Sequence, residues 1–142
     1  MKRLESVVDL PFNKHVGIGT SMSADALLEI PAGNQFLNHV GTVHASAQLA
    51  LAEATSGEFL LHTFSDEPGL LPLVRRMDAK FRKPAIGCIF GKINPATASS
   101  EHALEQLRTK GRTLLTILVD IYDEQGSHTL SSSFEWFIAK ES

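Results

Sequence analysis

With a single cysteine, Cys88, in 142 residues, the chain can form no intrachain disulfide, which excludes a fold stapled by such bridges. No Cys/His grouping has zinc-ligand spacing, and His15, His62, His102 and His128 are scattered, so a metal centre is not expected. No run approaches the ~20 apolar residues that span a bilayer. The opening MKRLESVVDLPFNKHVG begins basic but meets Glu5, Asp9 and Pro11 before any apolar stretch of secretory-signal length. There is no low-complexity tract, and a formal net charge of −3 provides no basic tail for nucleic acid. Gly17-Ile18-Gly19 is too short for a dinucleotide loop, and Ser131-Ser132-Ser133 lacks the glycine elbow of a serine hydrolase. These absences lead us to expect a soluble, cytoplasmic protein without metal or redox cofactor.

What is present is ordinary globular composition, 43% hydrophobic and 20% charged, in a length that suits one domain over residues 1–142. A short amphipathic helix is expected before Pro11, extended chain over 16–30 with breaks near Gly17 and Gly19, and a loop over 31–41. From His44 the pattern turns to Ala, Leu and Gln with no breaker until Gly57, which predicts a helix ending there. It is apolar around most of its circumference, so it should be buried on several sides. Strands are predicted over 73–82, with Leu73, Met77, Ala79 and Phe81 on one face interrupted by Arg75, and over 86–97. SSEHALEQLRTKG reads as an exposed helix capped by Ser99 or Ser100. Residues 113–122 and 128–138 alternate strictly around DEQGS, a hairpin signal. The sum is α+β, an antiparallel sheet wrapped on one long helix.

Against that background Glu53 stands out. A carboxylate in an apolar run is costly unless paired, and burial raises its pKa toward the range useful for proton transfer; the alternative is a helix acid that reaches solvent or a basic partner. His44, Ala45 and Ser46 occupy the expected helix start, where backbone N–H groups lack intrahelical partners and can hold a developing oxyanion. A simple capping turn would look the same. Asn38 could orient a water or carbonyl or serve only its turn, and His39 reads as a loop histidine. Arg75, Arg76, Lys80, Arg82 and Lys83, followed by Pro84, gather positive charge that suits phosphates or merely a solvated strand face. Cys88 reads as a core thiol rather than a nucleophile.

Taken together, Asn38, then His44-Ala45-Ser46, then Glu53 in LALAEAT resemble the hotdog-fold acyl-CoA thioesterases of the phenylacetate-pathway and 4-hydroxybenzoyl-CoA type. The resemblance extends to hotdog thioesterases of unknown substrate and covers residues 16–139. Those families carry an Asn or Gln, a His-Gly-Gly turn and an acid on the central helix; here two glycines are replaced by Ala45 and Ser46. The resemblance implies hydrolysis of an acyl-CoA. Ala45 N–H, helped by Ser46, would polarise the carbonyl, and Glu53 would be base or nucleophile. Asn38 would position water or carbonyl, and His44 would fix the turn or contact the thioester. FRKPAIG resembles the segment placed near CoA, which makes Arg82, Lys83 and Pro84 candidate CoA contacts. A non-catalytic module binding acyl-CoA or acyl carrier protein is the alternative, and a hydratase using His44 a weaker one.

Spacing adds an argument of its own. Ala45 and Glu53 lie eight residues apart, roughly 12 Å along a helix at ~1.5 Å per residue. Groups acting on one carbonyl must converge to about 3 Å. Two antiparallel copies satisfy this, so we expect a homodimer with composite sites, and hotdog families often pair such dimers into tetramers.

Overall fold

A computed structural model describes residues 4–141. Helices α1 (Pro11–His15), α2 (Ala45–Thr63) and α3 (Glu101–Lys110) accompany strands β1 (Gly19–Thr20), β2 (Leu28–Ile30), β3 (Leu70–Phe81), β4 (Ile89–Ile93), β5 (Arg112–Asp123) and β6 (His128–Lys140). The strands form one antiparallel sheet in the order β1-β2-β4-β5-β6-β3. Helix α2 packs on β2, β4, β5 and β6, as the wrapped-helix expectation requires.

Strict alternation explains the sheet core. Ile117, Val119 and Ile121 of β5, with Leu130, Phe134 and Ile138 of β6, are wholly buried. Each such side chain stabilises the fold by about 1.5–3 kcal/mol relative to exposure. In the hairpin turn, Asp123 Oδ1 accepts from the N–H groups of Gln125 (3.0 Å) and Ser127 (2.9 Å). Helix α3 ends at Gly111, whose φ of 77° is the left-handed stop expected of a glycine. Ser100 holds its cap position, while Ser99 Oγ accepts from Glu101 N–H at 3.3 Å.

Several boundaries differ from expectation. The N-terminal segment is a 3-10 turn, Val7–Asp9, and α1 starts at Pro11 instead of ending before it, since proline suits a first helical position; Met1, Lys2 and Arg3 lie outside the described residues. Helix α2 runs past Gly57 to Thr63. Gly57 serves packing: a Cβ there would stand 3.3 Å from Val7 and 3.5 Å from Trp136. Residues 16–30 contain only two short strands, and the 86–97 stretch contributes only Ile89–Ile93.

On β3 the predicted face splits. A bulge between Val74 and Arg76 takes Arg75 out of register, so Met77, Ala79 and Phe81 pair with the core-facing Phe134, Ser132 and Leu130, whereas Leu73 pairs with Phe137 on the opposite face. Pro72 is tolerated because β3 is an edge strand. Among the described residues no helix is long and apolar enough to cross a membrane.

Candidate active site

The start of α2 is built by its own sequence. His44 is extended (φ −60°, ψ 139°), and its Nδ1 accepts the Ser46 N–H at 2.9 Å. That bond requires a lone pair on Nδ1 and so places the neutral ring's proton on Nε2. The His44 carbonyl accepts from Ala47 and Gln48 at 3.0 and 3.2 Å. This leaves Ala45 N–H, on an exposed residue, as the first-turn donor with no acceptor among the described residues. Ser46 N–H, expected to help it, is already engaged. As a cap, His44 is worth about 0.5–2 kcal/mol by analogy with other caps. His44→Ala should therefore lower the urea midpoint, and His44→Asn, which can also accept from that N–H, should restore most of the loss.

The preceding loop is held from both sides: Val43 N–H donates to Ala85 O (2.9 Å) and His44 N–H to Phe36 O (2.7 Å). Asn38 is consumed by the turn. Its Oδ1 accepts from Val40 N–H (3.1 Å) and Thr42 N–H (3.0 Å), and its Nδ2 donates to Thr42 Oγ1 at 2.8 Å. Its influence on the helix start thus passes through the backbone. His39 is exposed, as a loop histidine should be. Gly17 has a role unrelated to nucleotides, since a Cβ there would meet the Phe36 ring at 2.9 Å.

Two turns into α2, Glu53 is half-buried in a cleft of about 260 Å³ lined also by Phe12, Asn13, Ser46, Leu49, Ala50 and Met77. Ser46, Leu49, Ala50 and Glu53 follow the i, i+3, i+4, i+7 spacing of one helix face. Among the described residues the Glu53 carboxylate has no hydrogen-bond or ion-pair partner, and its oxygens are not sealed from solvent. Burial alone pushes its pKa above the ordinary 4.5.

Glu58, five residues on, was not singled out by sequence reasoning and shows the contrast. It is 5% exposed, yet its carboxylate accepts from Val7 N–H (3.1 Å) and Ser6 Oγ (2.8 Å), with His62 Nε2 at 4.0 Å. It ties the N-terminal segment to α2. Apart from His62 one turn on, nothing local separates the two acids; the distinction lies mainly in partners some fifty residues away.

The basic cluster divides. Arg75 pairs with Glu135 (3.5 Å) and Arg76 with Asp78 (3.3 Å), while Arg82 reaches Ser131 Oγ at 3.4 Å, and Lys80, Lys83 and Pro84 are exposed. Cys88 is half-buried rather than in the core. Partial burial and the adjacent Glu29 carboxylate, 3.7 Å from Sγ, push its thiol up to about 11, away from thiolate chemistry. Ser131, His128 and Asp120 approach each other, but Asp120 (3.1 Å) and Ser131 (3.2 Å) share the same His128 Nε2. A proton relay needs both ring nitrogens, so this is not a nucleophilic triad. No group of three His, Cys, Asp or Glu side chains among the described residues could hold a metal.

The model of one family matches residues 14–138, nearly the whole chain. The chain belongs to the DUF4442 family. The family is described as a domain of unknown function. No curated protein matches this DUF4442 chain. Among solved structures it is similar to a protein of unknown function from Pseudomonas aeruginosa, described as a probable thioesterase: 25% identity, 92% of this chain and 87% of that one, TM-score 0.75. It is also similar to a Haemophilus influenzae thioesterase, at 17% identity, 94% and 85% coverage and TM-score 0.70. A Bacillus halodurans protein with CoA follows at 12% identity, 78% and 69% coverage and TM-score 0.62. The fold of this DUF4442 chain is the hotdog fold of these thioesterases.

Proposed function

We propose that the protein hydrolyses acyl-CoA thioesters at two composite sites of a homodimer. The observation that carries the reading is the half-buried Glu53 carboxylate, without a partner among the described residues, set in a cleft on the helix whose first turn leaves Ala45 N–H open. Ala45 N–H would stabilise the oxyanion, and Glu53 would activate water or attack the carbonyl. His44 shapes the helix start and Asn38 holds the turn that delivers it. The thioesterase neighbours and the CoA held by the Bacillus halodurans protein agree with this chemistry. Arg82, Lys83 and Pro84 are offered as the CoA contacts. Dimerisation has a physical motive too. Edge strand β3 is twelve residues long and leaves Phe81 47% exposed on its helix-side face, and pairing with a second copy would satisfy the open strand edge and cover that ring.

A mixed dimer tests the arrangement. Ala45→Pro deletes the N–H at the first helical position, where proline is tolerated and the extended His44 is compatible with it. Homodimers of Ala45→Pro should lose about 10²–10³-fold in kcat, and Glu53→Gln homodimers should be at least as slow. Mixing the two variants rebuilds one intact site if Ala45 and Glu53 act across the interface, so the heterodimer should regain about half of wild-type thiol release. A heterodimer as inactive as either parent would refute the composite site.

One observation favours a second reading, a non-catalytic module for acyl-CoA or acyl carrier protein: Ser46 N–H is taken by His44, which leaves a single backbone donor. Tight calorimetric binding without thiol release would identify that case.

A further inference from the structure

The walls of the Glu53 cleft carry information about the acyl group. Phe12, Leu49, Ala50 and Met77 supply its apolar surface, with Phe12 64% and Met77 48% exposed. Its polar members are few. Asn13 is 4% exposed and its Nδ2 is spent on Val7 O at 2.9 Å, which leaves its Oδ1, Ser46 and Glu53. Among the described residues of one protomer, no lysine or arginine lines the cleft. A second carboxylate at the far end of an acyl group would therefore lie against apolar walls with no cation beside it to offset its desolvation.

We infer that this cleft selects an uncharged, apolar acyl group of medium size and that Phe12 is the residue that sets the preference; this rests on the reading of Glu53 as the group acting on a thioester. An apolar cavity of about 150 Å³ holds a benzene ring. The cleft of about 260 Å³ is open to solvent, and in one protomer it has room for a ring or short chain, on the order of six to ten carbons. Phe12 owes its place to the N-terminal segment. Glu58 holds Ser6 and Val7, Asn13 holds the Val7 carbonyl, and Pro11 starts the short helix that carries Phe12 to the cleft. A large apolar side chain left mostly exposed beside the acid gains by covering an acyl chain.

The test uses the full chain and non-hydrolysable S-alkyl-CoA thioethers of two to sixteen carbons, plus an eight-carbon arm ending in a carboxylate, with Kd measured by calorimetry. For wild type, Kd should tighten about fourfold per added methylene, the equivalent of ~0.8 kcal/mol, up to roughly eight carbons and then level off. The carboxylated arm should bind at least tenfold more weakly than its octyl counterpart. Phe12→Ala should flatten most of the dependence on length, and Phe12→Leu should restore part of it. A flat series in wild type, tighter binding of the carboxylated arm, or an unchanged series in Phe12→Ala overturns the inference. The last of these with a weakened dimer in sedimentation would assign Phe12 to the subunit contact instead. Failure of the hydrolysis reading looks different: the graded thioether series persists while no acyl-CoA releases thiol. If thiol release depends on Glu53 but is fastest with acetyl, hexadecanoyl or dicarboxylic thioesters, hydrolysis stands and the preference falls.

Discussion

Glu53→Gln should lower thiol release from acyl-CoA by about 10²- to 10⁴-fold, the span usual for loss of a positioned base. Glutamine keeps the shape of the side chain and the cleft around it but cannot accept a proton or attack a carbonyl. The pH profile separates this from a packing effect. The Glu53 pKa is raised by burial, so wild-type kcat/KM should climb through a range above 4.5. That limb should vanish from the residual activity of the variant. Stability should move the other way. A carboxyl group whose folded pKa is raised stabilises the fold fully only below its unfolded pKa, and the contribution is lost as pH rises through the folded value. At neutral pH the ionised group is thus a burden, and Glu53→Gln should melt higher than wild type. The difference should disappear as the pH falls to about 3, where the carboxyl group is neutral in the folded and unfolded states alike. Equal thiol release in the two proteins would remove Glu53 from the chemistry.

Gly91→Ala should be the most damaging single methyl in the chain. Gly91 lies on β4 under α2, and a Cβ there would collide with Thr55 Oγ1 and stand 3.0 Å from Thr55 Cβ. Thr55 cannot swing away cheaply. It is wholly buried, and its hydroxyl donates to Leu51 O at 2.8 Å. The helix must lift or the strand must bend, and such overpacking costs about 1–3 kcal/mol or more. Urea unfolding should show the loss, with thiol release falling in parallel because α2 carries both Ala45 and Glu53. Thr55→Ala removes Oγ1 and Cγ2 and should recover a large part of the stability in the double variant. Purely additive losses would mean that the two positions do not meet.

Much of the fold could be read locally. The period-two alternation of β5 and β6 around DEQGS, the capped α3 with its glycine stop and the near-continuous apolar pattern of α2 each carry their own signal. The misreadings share a cause, which is that the deciding contact is distant. Gly57 looks like a helix end until Val7 and Trp136 are seen to need its missing Cβ. Leu73 shares a face with Met77 on paper, and only pairing with β6 shows that Arg75 bulges out and turns Leu73 over. At the site, the spacing of Asn38, His44 and Glu53 was visible, but not what each polar atom does. The Asn38 amide closes its own turn, and the His44 ring takes the Ser46 N–H that chain order would have assigned to an oxyanion.

By itself, then, the sequence determined the element types from α2 onward, the antiparallel α+β plan and the placing of a carboxylate two turns inside a buried helix. Periodicity, turn chemistry and helix geometry act over a few residues and are written in neighbouring positions. The tertiary structure alone decided that, among the described residues, Glu53 has no partner while Glu58 accepts two hydrogen bonds from the N-terminal segment, that Ala45 N–H is the open donor, and that Phe12 comes from that segment to line the cleft. Burial and hydrogen-bond satisfaction depend on which distant segments meet, and local pattern does not encode that.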